Sequence, residues 1–558
     1  MAVPLQAFVA FCLVLFSWLF HEFVVKAIRS PLRDLPGPRS KGLFSGHMPY
    51  AMDPHWSPAA HDQWSKRFGL NMCIKGLNWF DNRLLTLDPR AVTYVLNQTT
   101  VYEKPPVSRR LLASLIGAGL LASEGSHHRR QRKVMNPAFS PANLRELTPV
   151  FFGKAYELRE KWLSLMTDKS KGEHFDVTHW LGRATFDVIG IAGFGYQFNA
   201  IQEENEEVYM AYKTMFERTV NKGQDLMDVT YLYFPILATL FPNEHVRIKR
   251  RSQAIIYKAG KALVEKKKRE FREGNTKSRD LLSLLVRSNM AADVDPSQRI
   301  SDLDISNQIN TFLFAGSDTT SLGLSWCLLF LAQKPEIQAR LRTELDSLAR
   351  QYEHSDDDGY ATAEFFALID KLPLLDNICR ETLRFVPPVH SSIRVALKDD
   401  VIPISSQMRF EGKDAEAKLA HMKKSFPAGD GIRIAKGEFI HIAVEGFNLS
   451  KDVWGEDAHE FNPDRWDNLP DAARSAPGLY SNIMTFGAGP RSCIGMRFSM
   501  IEMKTFLFVF IRTFSFSDPP NVMRVNVILT RPFVKEAYNK GSQLPLLITP
   551  LHGPLSDS

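Results

Sequence analysis

Phe486-Gly487-Ala488-Gly489-Pro490-Arg491-Ser492-Cys493-Ile494-Gly495, near the C-terminal end of a 558-residue chain, is a loop suited to presenting one cysteine. Gly489 and Gly495 permit turns and close backbone approach that a side chain would block, so a bulky group can lie against this backbone. The following residues, Ile494 to Lys504, form helix readily, which sets the sulfur at a helix N-terminus. There the dipole and the amide donors favour thiolate over thiol. Haem iron accepts such a ligand, and a thiolate pushes electron density onto iron in a way that favours O–O cleavage. Arg491 is placed to pair with a carboxylate, which on a haem is a propionate.

The spacing Phe-x-x-Gly-x-Arg-x-Cys-x-Gly is complete and resembles the haem-binding loop of the cytochrome P450 monooxygenases. A lone cysteine is ordinarily a buried structural residue. The matched spacing outweighs that reading here. The resemblance implies Phe486, Gly489, Arg491 and Gly495 as haem-contacting positions and Cys493 as the axial ligand of haem b.

The five cysteines, Cys12, Cys73, Cys327, Cys379 and Cys493, are odd in number and widely spaced with no Cys-x-x-Cys pair. They argue for a reducing compartment and against a disulfide framework or structural zinc. The formal charge of +7 comes from 69 basic and 62 acidic residues, too balanced to imply a nucleic-acid partner. The basic clusters 247–251 and 266–269 read first as solvated helix faces, with an anionic membrane surface or an acidic redox partner as the sharper alternative.

Ala7 to Phe20 is almost wholly apolar and the run resumes at Phe23-Val24-Val25, long enough to cross a bilayer with His21-Glu22 near one interface. Lys26, Arg29, Arg33, Arg39 and Lys41 follow, and no basic residue precedes. That asymmetry predicts a lumenal N-terminus and a cytoplasmic body. A cleaved signal peptide fits less well, since neither a positive n-region nor a small-x-small site is present. The expected organisation is an anchor over 1–30 with its apolar core at about 5–25, a basic, proline-rich hinge over 31–45, and a single catalytic domain over 46–558. A cytoplasmic body makes the sequons at Asn97 and Asn448 chance matches.

Along the body, β-like runs at 70–74 and 83–87 precede a helix capped by Asp88-Pro89. Helical periodicity dominates 140–274, broken by aromatic and proline residues at 231–242. Further helices are expected at 305–333, 335–352 and 371–385, and strand-like alternation at 393–445. The fold class is mainly α with small β-sheets (α+β), the resemblance implying the cytochrome P450 fold. A charged stretch at 404–430 reads as an insertion of no assigned role.

Ala315-Gly316-Ser317-Asp318-Thr319-Thr320 lies inside the 305–333 helix, where glycine costs about 1 kcal/mol relative to alanine and hydroxyls bond back to carbonyls. Gly316 leaves room for a diatomic ligand, while Asp318 and Thr319 can relay protons through water. This resembles the family's oxygen-activation motif, whose acid and threonine deliver protons.

Glu381-Thr382-Leu383-Arg384 sets opposite charges three apart on one helix face, and Phe461-Asn462-Pro463-Asp464-Arg465-Trp466 stands before the cysteine loop. The resemblance implies a structural triad of Glu381, Arg384 and Arg465. It also implies propionate contacts from Arg394, Arg132 and His128, the last in place of the family's tryptophan. Apolar positions such as Leu115, Ile116, Leu120, Phe312, Val386 and Ile393 suit a lipophilic substrate, and core packing asks for the same residues.

Together these features resemble a fungal microsomal monooxygenase in the endoplasmic reticulum membrane. The implied reaction splits O2 at haem and hydroxylates a lipophilic small molecule, a terpenoid or other secondary metabolite ahead of an aromatic xenobiotic. No flavin or nicotinamide motif is present, so electrons are expected from NADPH-cytochrome P450 reductase, with cytochrome b5 as an optional donor. The rivals are an isomerase or dehydratase of the same fold, and a haem carrier or sensor. The Asp318-Thr319 pair disfavours the former; neither that pair nor an apolar pocket is needed by the latter.

Overall fold

The computed structural model describes residues 10, 12–18, 20–40, 42, 46–54, 56–76, 80–221, 227, 230–231, 234–274, 279–290, 299–352, 360–405, 431–526 and 528–551. Its longer helices are α1 (Ser57–Phe68), α2 (Pro89–Asn97), α3 (Pro106–Ile116), α4 (Gly125–Met135), α5 (Thr148–Leu165), α6 (Val177–Phe194), α7 (Glu207–Asn221), α8 (Glu244–Arg272), α9 (Leu281–Met290), α10 (Asp302–Gln333), α11 (Pro335–Tyr352), α12 (Pro373–Phe385) and α13 (Met496–Thr513). The strands are β1 (Asn71–Lys75), β2 (Asn82–Thr86), β3 (Tyr102–Glu103), β4 (Glu173–Asp176), β5 (Ser392–Ala396), β6 (Asp400–Pro403), β7 (Gly431–Ile434), β8 (Phe439–Ile442), β9 (Phe514–Ser517), β10 (Val522–Asn526), β11 (Thr530–Val534) and β12 (Pro545–Pro550). The mainly helical class with small sheets is as expected.

Two compact units share the chain. The first comprises 1–105, 390–459 and 470–492; the second comprises 106–389, 460–469 and 493–558. In the first, five strands run in the order β1-β2-β8-β5-β3, with β2 parallel to β8 and the other pairs antiparallel. Met72, Ile74, Leu85 and Leu87 of this region pack with Trp64 and Phe68 of α1. Asp88 caps α2 by accepting from the amides of Arg90 and Ala91, and Pro89 fills the first turn, where no donor is needed. The strands and cap expected at 70–97 are all present.

In the second unit α10 is the organising element. Ser301 and Asp304 cap it reciprocally, and most side chains from Ile305 to Ala332 are buried. Buried on nearly every side, it shows little of the two-faced pattern of a surface helix. Helix α6 packs closely on it, with Thr185 Oγ1 donating to the Ser317 carbonyl at 3.1 Å. Aromatic rings lock α5 to α13, Phe151 against Phe498 and Trp162 against Phe510, both with centroids 4.9 Å apart. Two small sheets, β4-β12-β9 and β10-β11, complete this unit. β4 falls inside 140–274, where helical periodicity dominates the sequence, and β9 to β12 lie beyond the strand-like 393–445; strands this short carry too little alternation to stand out.

Residues 12–18 and 20 are helical and lead into a π-helical turn at His21–Val25. Leu13, Val14, Phe16 and Trp18 are exposed there. Among the described residues no helix is long and apolar enough to cross a membrane. The expected anchor falls partly on residues 1–9, 11 and 19, and the insertion almost wholly on 406–430; both lie outside the described residues.

Candidate active site

The cysteine loop spans the division of the chain: Ser492 ends a segment of the first unit and Cys493 opens one of the second. On the first side, Gly487 and Gly489 adopt φ of +69° and +70°, which only glycine takes without strain. A side chain on Gly489 would strike Asn97 Oδ1 at 2.8 Å and the Leu96 carbonyl at 3.0 Å, so the loop is pressed onto the end of α2. Arg491 donates to the carbonyls of Thr99 and Tyr102, both at 2.9 Å. The residue expected at a propionate therefore also clamps backbone. Phe486 packs edge-on against Tyr480, centroids 5.9 Å apart. Arg394, on β5 and nearly buried, donates to Ser392 Oγ and the Ile393 carbonyl.

On the second side, Gly495 caps α13, whose first residue is Met496. Burial pushes the Cys493 thiol up, opposed by the Gly495 amide and then by the Arg132 guanidinium. A helix-start thiolate was expected; desolvation outweighs the helix end in the protein alone. Cys493 nonetheless keeps exposed surface, while its sulfur is closely surrounded by protein. Those two observations agree if the sulfur lies in a wall open on one side. Arg132 and His128 both lie on α4, the latter buried.

On α10, Thr319 Oγ1 donates to the Ala315 carbonyl at 2.7 Å and Ser317 Oγ to that of Leu313. The hydroxyls thus bond back as their spacing suggested. A side chain at Gly316 would meet Ile189 of α6 at 2.8 Å. The missing Cβ serves the approach of two helices, a role the sequence had not suggested. Asp318 turns toward β11 and forms an ion pair with Arg531, both side chains largely buried. Arg531 carried no sequence signal, since its partner lies 213 positions away.

The triad residues come together completely. Arg384 forks onto Glu381 at 2.9 and 2.7 Å, and Arg465 Nε lies 3.4 Å from the same carboxylate. Trp466 Nε1 and the Asn462 amide also donate to Glu381. Glu381 and Arg384 are fully buried, far from the exposed ion pair that Glu-x-x-Arg spacing usually makes. Trp466 could have been found from the sequence, because a buried indole N–H seeks an acceptor.

Beside α10, the Thr311 hydroxyl donates to the Ile116 carbonyl and Gln308 accepts from the Leu120 amide. These bonds hold the apolar segment 115–120, which was expected to line a substrate pocket. Phe312 stacks obliquely on Phe139 at 5.6 Å.

The donor set fits haem. Cys493 keeps exposed surface, and a Cβ built at Gly495 meets nothing nearer than Phe139 at 3.8 Å, leaving room for a flat macrocycle. An exposed cysteine beside a helix start and a buried helix carrying an acid and a hydroxyl define a haem-thiolate enzyme as the class. The family model described as Cytochrome P450 matches residues 61–404 and 423–538. The chain is 37% identical to Cytochrome P450 monooxygenase 205 of Postia placenta over 96% of both chains, and 37% identical to monooxygenase 128 of the same fungus over 93% of both. It is 34% identical to ganoderic acid synthetase CYP5150L8 of Ganoderma lucidum, covering 89% of this chain and 90% of that one. The chain belongs to the cytochrome P450 family. It is a monooxygenase whose haem iron is cysteine-ligated and which uses O2, a substrate and a redox partner.

Proposed function

We propose that this chain is a membrane-anchored hydroxylase of a lipophilic secondary metabolite, a terpenoid in the first instance. Cys493 would ligate the haem iron; Arg491, Arg132, Arg394 and His128 would hold the propionates; and Phe486, Gly489 and Gly495 would shape the loop that carries the sulfur. The haem, when bound, supplies reduction and splitting of O2. Asp318 and Thr319 hand protons toward the site, and the pocket walls exclude water. Glu381, Arg384 and Arg465 keep the frame rigid, and electrons come from NADPH-cytochrome P450 reductase. The observation that carries this reading is the exposed Cys493 flanked by the Gly495 amide and the Arg132 cation. Exposed Leu13, Phe16 and Trp18 support the anchor in the endoplasmic reticulum membrane. A relative named for ganoderic acid supports a natural-product substrate.

Carbon monoxide added to the reduced protein should give the red-shifted Soret band of thiolate ligation, and Cys493→Ser should abolish it. A mutant that keeps the band sinks the ligand assignment. Thr319→Ala should retain haem but divert reducing equivalents to peroxide; unchanged coupling removes Thr319 from the relay. Product formation that proceeds without reductase or O2 would favour the isomerase reading instead.

A further inference from the structure

Tyr94 of α2 and Tyr102 of β3 converge on one carboxylate in the first unit. The Tyr102 hydroxyl donates to Asp400 Oδ2 at 2.8 Å, and the Tyr94 hydroxyl donates to the same oxygen at 3.2 Å. Their rings meet edge-on with centroids 6.3 Å apart. Tyr102 has no exposed surface, whereas Tyr94 and Asp400 are half-buried. The cluster therefore runs from the interior of this unit to its surface. Its inner end adjoins two residues assigned to the haem propionates. The Tyr102 carbonyl accepts from Arg491 at 2.9 Å, and Tyr102 pairs with Ala396, two positions along β5 from Arg394.

Stability accounts for only part of this arrangement. A buried phenol needs an acceptor, and Asp400 supplies one for Tyr102. Half-exposed Tyr94 could instead give its hydrogen bond to water, since exchanging a water partner for a protein one changes stability by only about 0.5–1.5 kcal/mol. Its turn toward a carboxylate already in use calls for another reason. A phenol that surrenders an electron becomes a strong acid, and a base takes its proton readily when it already lies within hydrogen-bond reach. Burial first, and the neighbouring Asp400 carboxylate second, hold both phenols above the usual tyrosine range, so neither ionises at neutral pH without oxidation.

We propose that Tyr102, Asp400 and Tyr94 form a route by which oxidising equivalents leave the protein when no substrate consumes them. The proposal rests on the haem-thiolate and propionate reading above. One electron moves from Tyr102 to haem that peroxide has oxidised, which lowers that haem by one oxidising equivalent. The Tyr102 O–H bond breaks, and its proton forms an O–H bond on Asp400. Tyr94 then gives an electron to the Tyr102 radical, while Asp400 hands its proton back to Tyr102 and takes the one that Tyr94 loses. At the surface a small one-electron reductant of the ascorbate type gives an electron to the Tyr94 radical, and Asp400 returns the proton. Both tyrosines and the carboxylate end as they began, and the reductant is oxidised by one electron.

The test uses the full-length holoenzyme, with the thiolate carbon monoxide band checked in the parent and in each variant so that loss of signal is not loss of haem. Hydrogen peroxide is added without substrate in the presence of the radical trap 2-methyl-2-nitrosopropane, and the digested protein is mapped by mass spectrometry. The trap adduct is expected on Tyr94. Tyr102→Phe should lower that adduct severalfold although Tyr94 is intact. Asp400→Asn, which keeps an acceptor oxygen but takes up no proton, should do the same and carries the test if Tyr102→Phe does not fold. Ascorbate should slow peroxide bleaching of the haem severalfold in the parent and not in Tyr94→Phe. A parent without adduct on Tyr94, an adduct undiminished in Asp400→Asn, or equal protection of parent and Tyr94→Phe by ascorbate overturns the route. A parent that lacks the carbon monoxide band loses the haem-thiolate reading itself, whereas one that keeps the band and shows no Tyr94 adduct loses the route alone.

Discussion

Glu381 accepts hydrogen bonds from Arg384, Arg465, Trp466 and the Asn462 amide without any exposed surface. A buried ion pair contributes little net stability, but removing one partner leaves uncompensated charge and costs about 3–5 kcal/mol. Glu381→Gln should therefore lower the thermal midpoint sharply and reduce haem content, even though nothing in the triad is proposed to touch haem. Trp466→Phe should cost about 1–3 kcal/mol, because it strips one donor from a carboxylate that keeps the others. Thermal unfolding and the haem-to-protein ratio check both. A Glu381→Gln variant as stable as the parent would mean that the arginines find other acceptors. Glu381, Arg384 and Arg465 were legible in the sequence because motif and order pointed to them. The Asn462 amide was not, since a backbone donor leaves no residue type to read, whereas the Trp466 indole was within reach of the same reasoning.

Among the elements, α10 and α6 show how a glycine can look functional and serve packing. The sequence placed Gly316 within an oxygen-handling motif; in space its missing Cβ faces Ile189. Gly316→Ala should overpack that contact by about 1–3 kcal/mol despite the higher helix propensity of alanine. Ile189→Val alone costs about 0.5–1.5 kcal/mol, and the double variant should recover part of the loss. A double-mutant cycle by thermal unfolding measures the coupling; strict additivity would show that the helices do not meet there. Long helices such as α10, α11 and α12 were readable within a few residues because apolar positions repeat over many turns. Strands β9 to β12 were not, being short, and β12 also takes a partner, β4, from far along the chain. The Asp318 to Arg531 pair escaped for the same reason, although Asp318 itself was singled out.

At the scale of the whole molecule, charge on buried histidines predicts an acid limit. In the first unit His61, His390 and His441 are buried, and their ring nitrogens find no hydrogen-bond partner. Burial, then mutual repulsion where a neighbouring ring adds to it, holds His61 and His390 down to about 4 and His441 to about 3. The unfolded chain takes up these protons near pH 6.5, whereas the fold refuses them until much lower pH. Their effect on stability is thus neutral above pH 6.5 and unfavourable as pH falls toward 4, by about 1.4 kcal/mol per pH unit for each histidine. Unfolding midpoints measured from pH 7.5 to 4.5 should drop steeply below pH 6.5. His390→Leu should make that drop shallower; an unchanged slope would mean that His390 titrates normally in the folded state. Removal of residues 1–25 should shift the protein from the membrane pellet to the supernatant, which fractionation would read directly.

Strand β2 pairs with β8 in parallel, Arg83 opposite Phe439, roughly 350 residues further on. At ribosomal rates of about 5–20 residues per second, β2 waits on the order of 20–70 s for that neighbour. During this interval one flank of Asn82–Thr86 presents unsatisfied amides and carbonyls, the template on which strands of other chains assemble. Birth of this enzyme is therefore a custody problem: nascent chains halted before residue 439 should cling to chaperones, and those released beyond 492 should not.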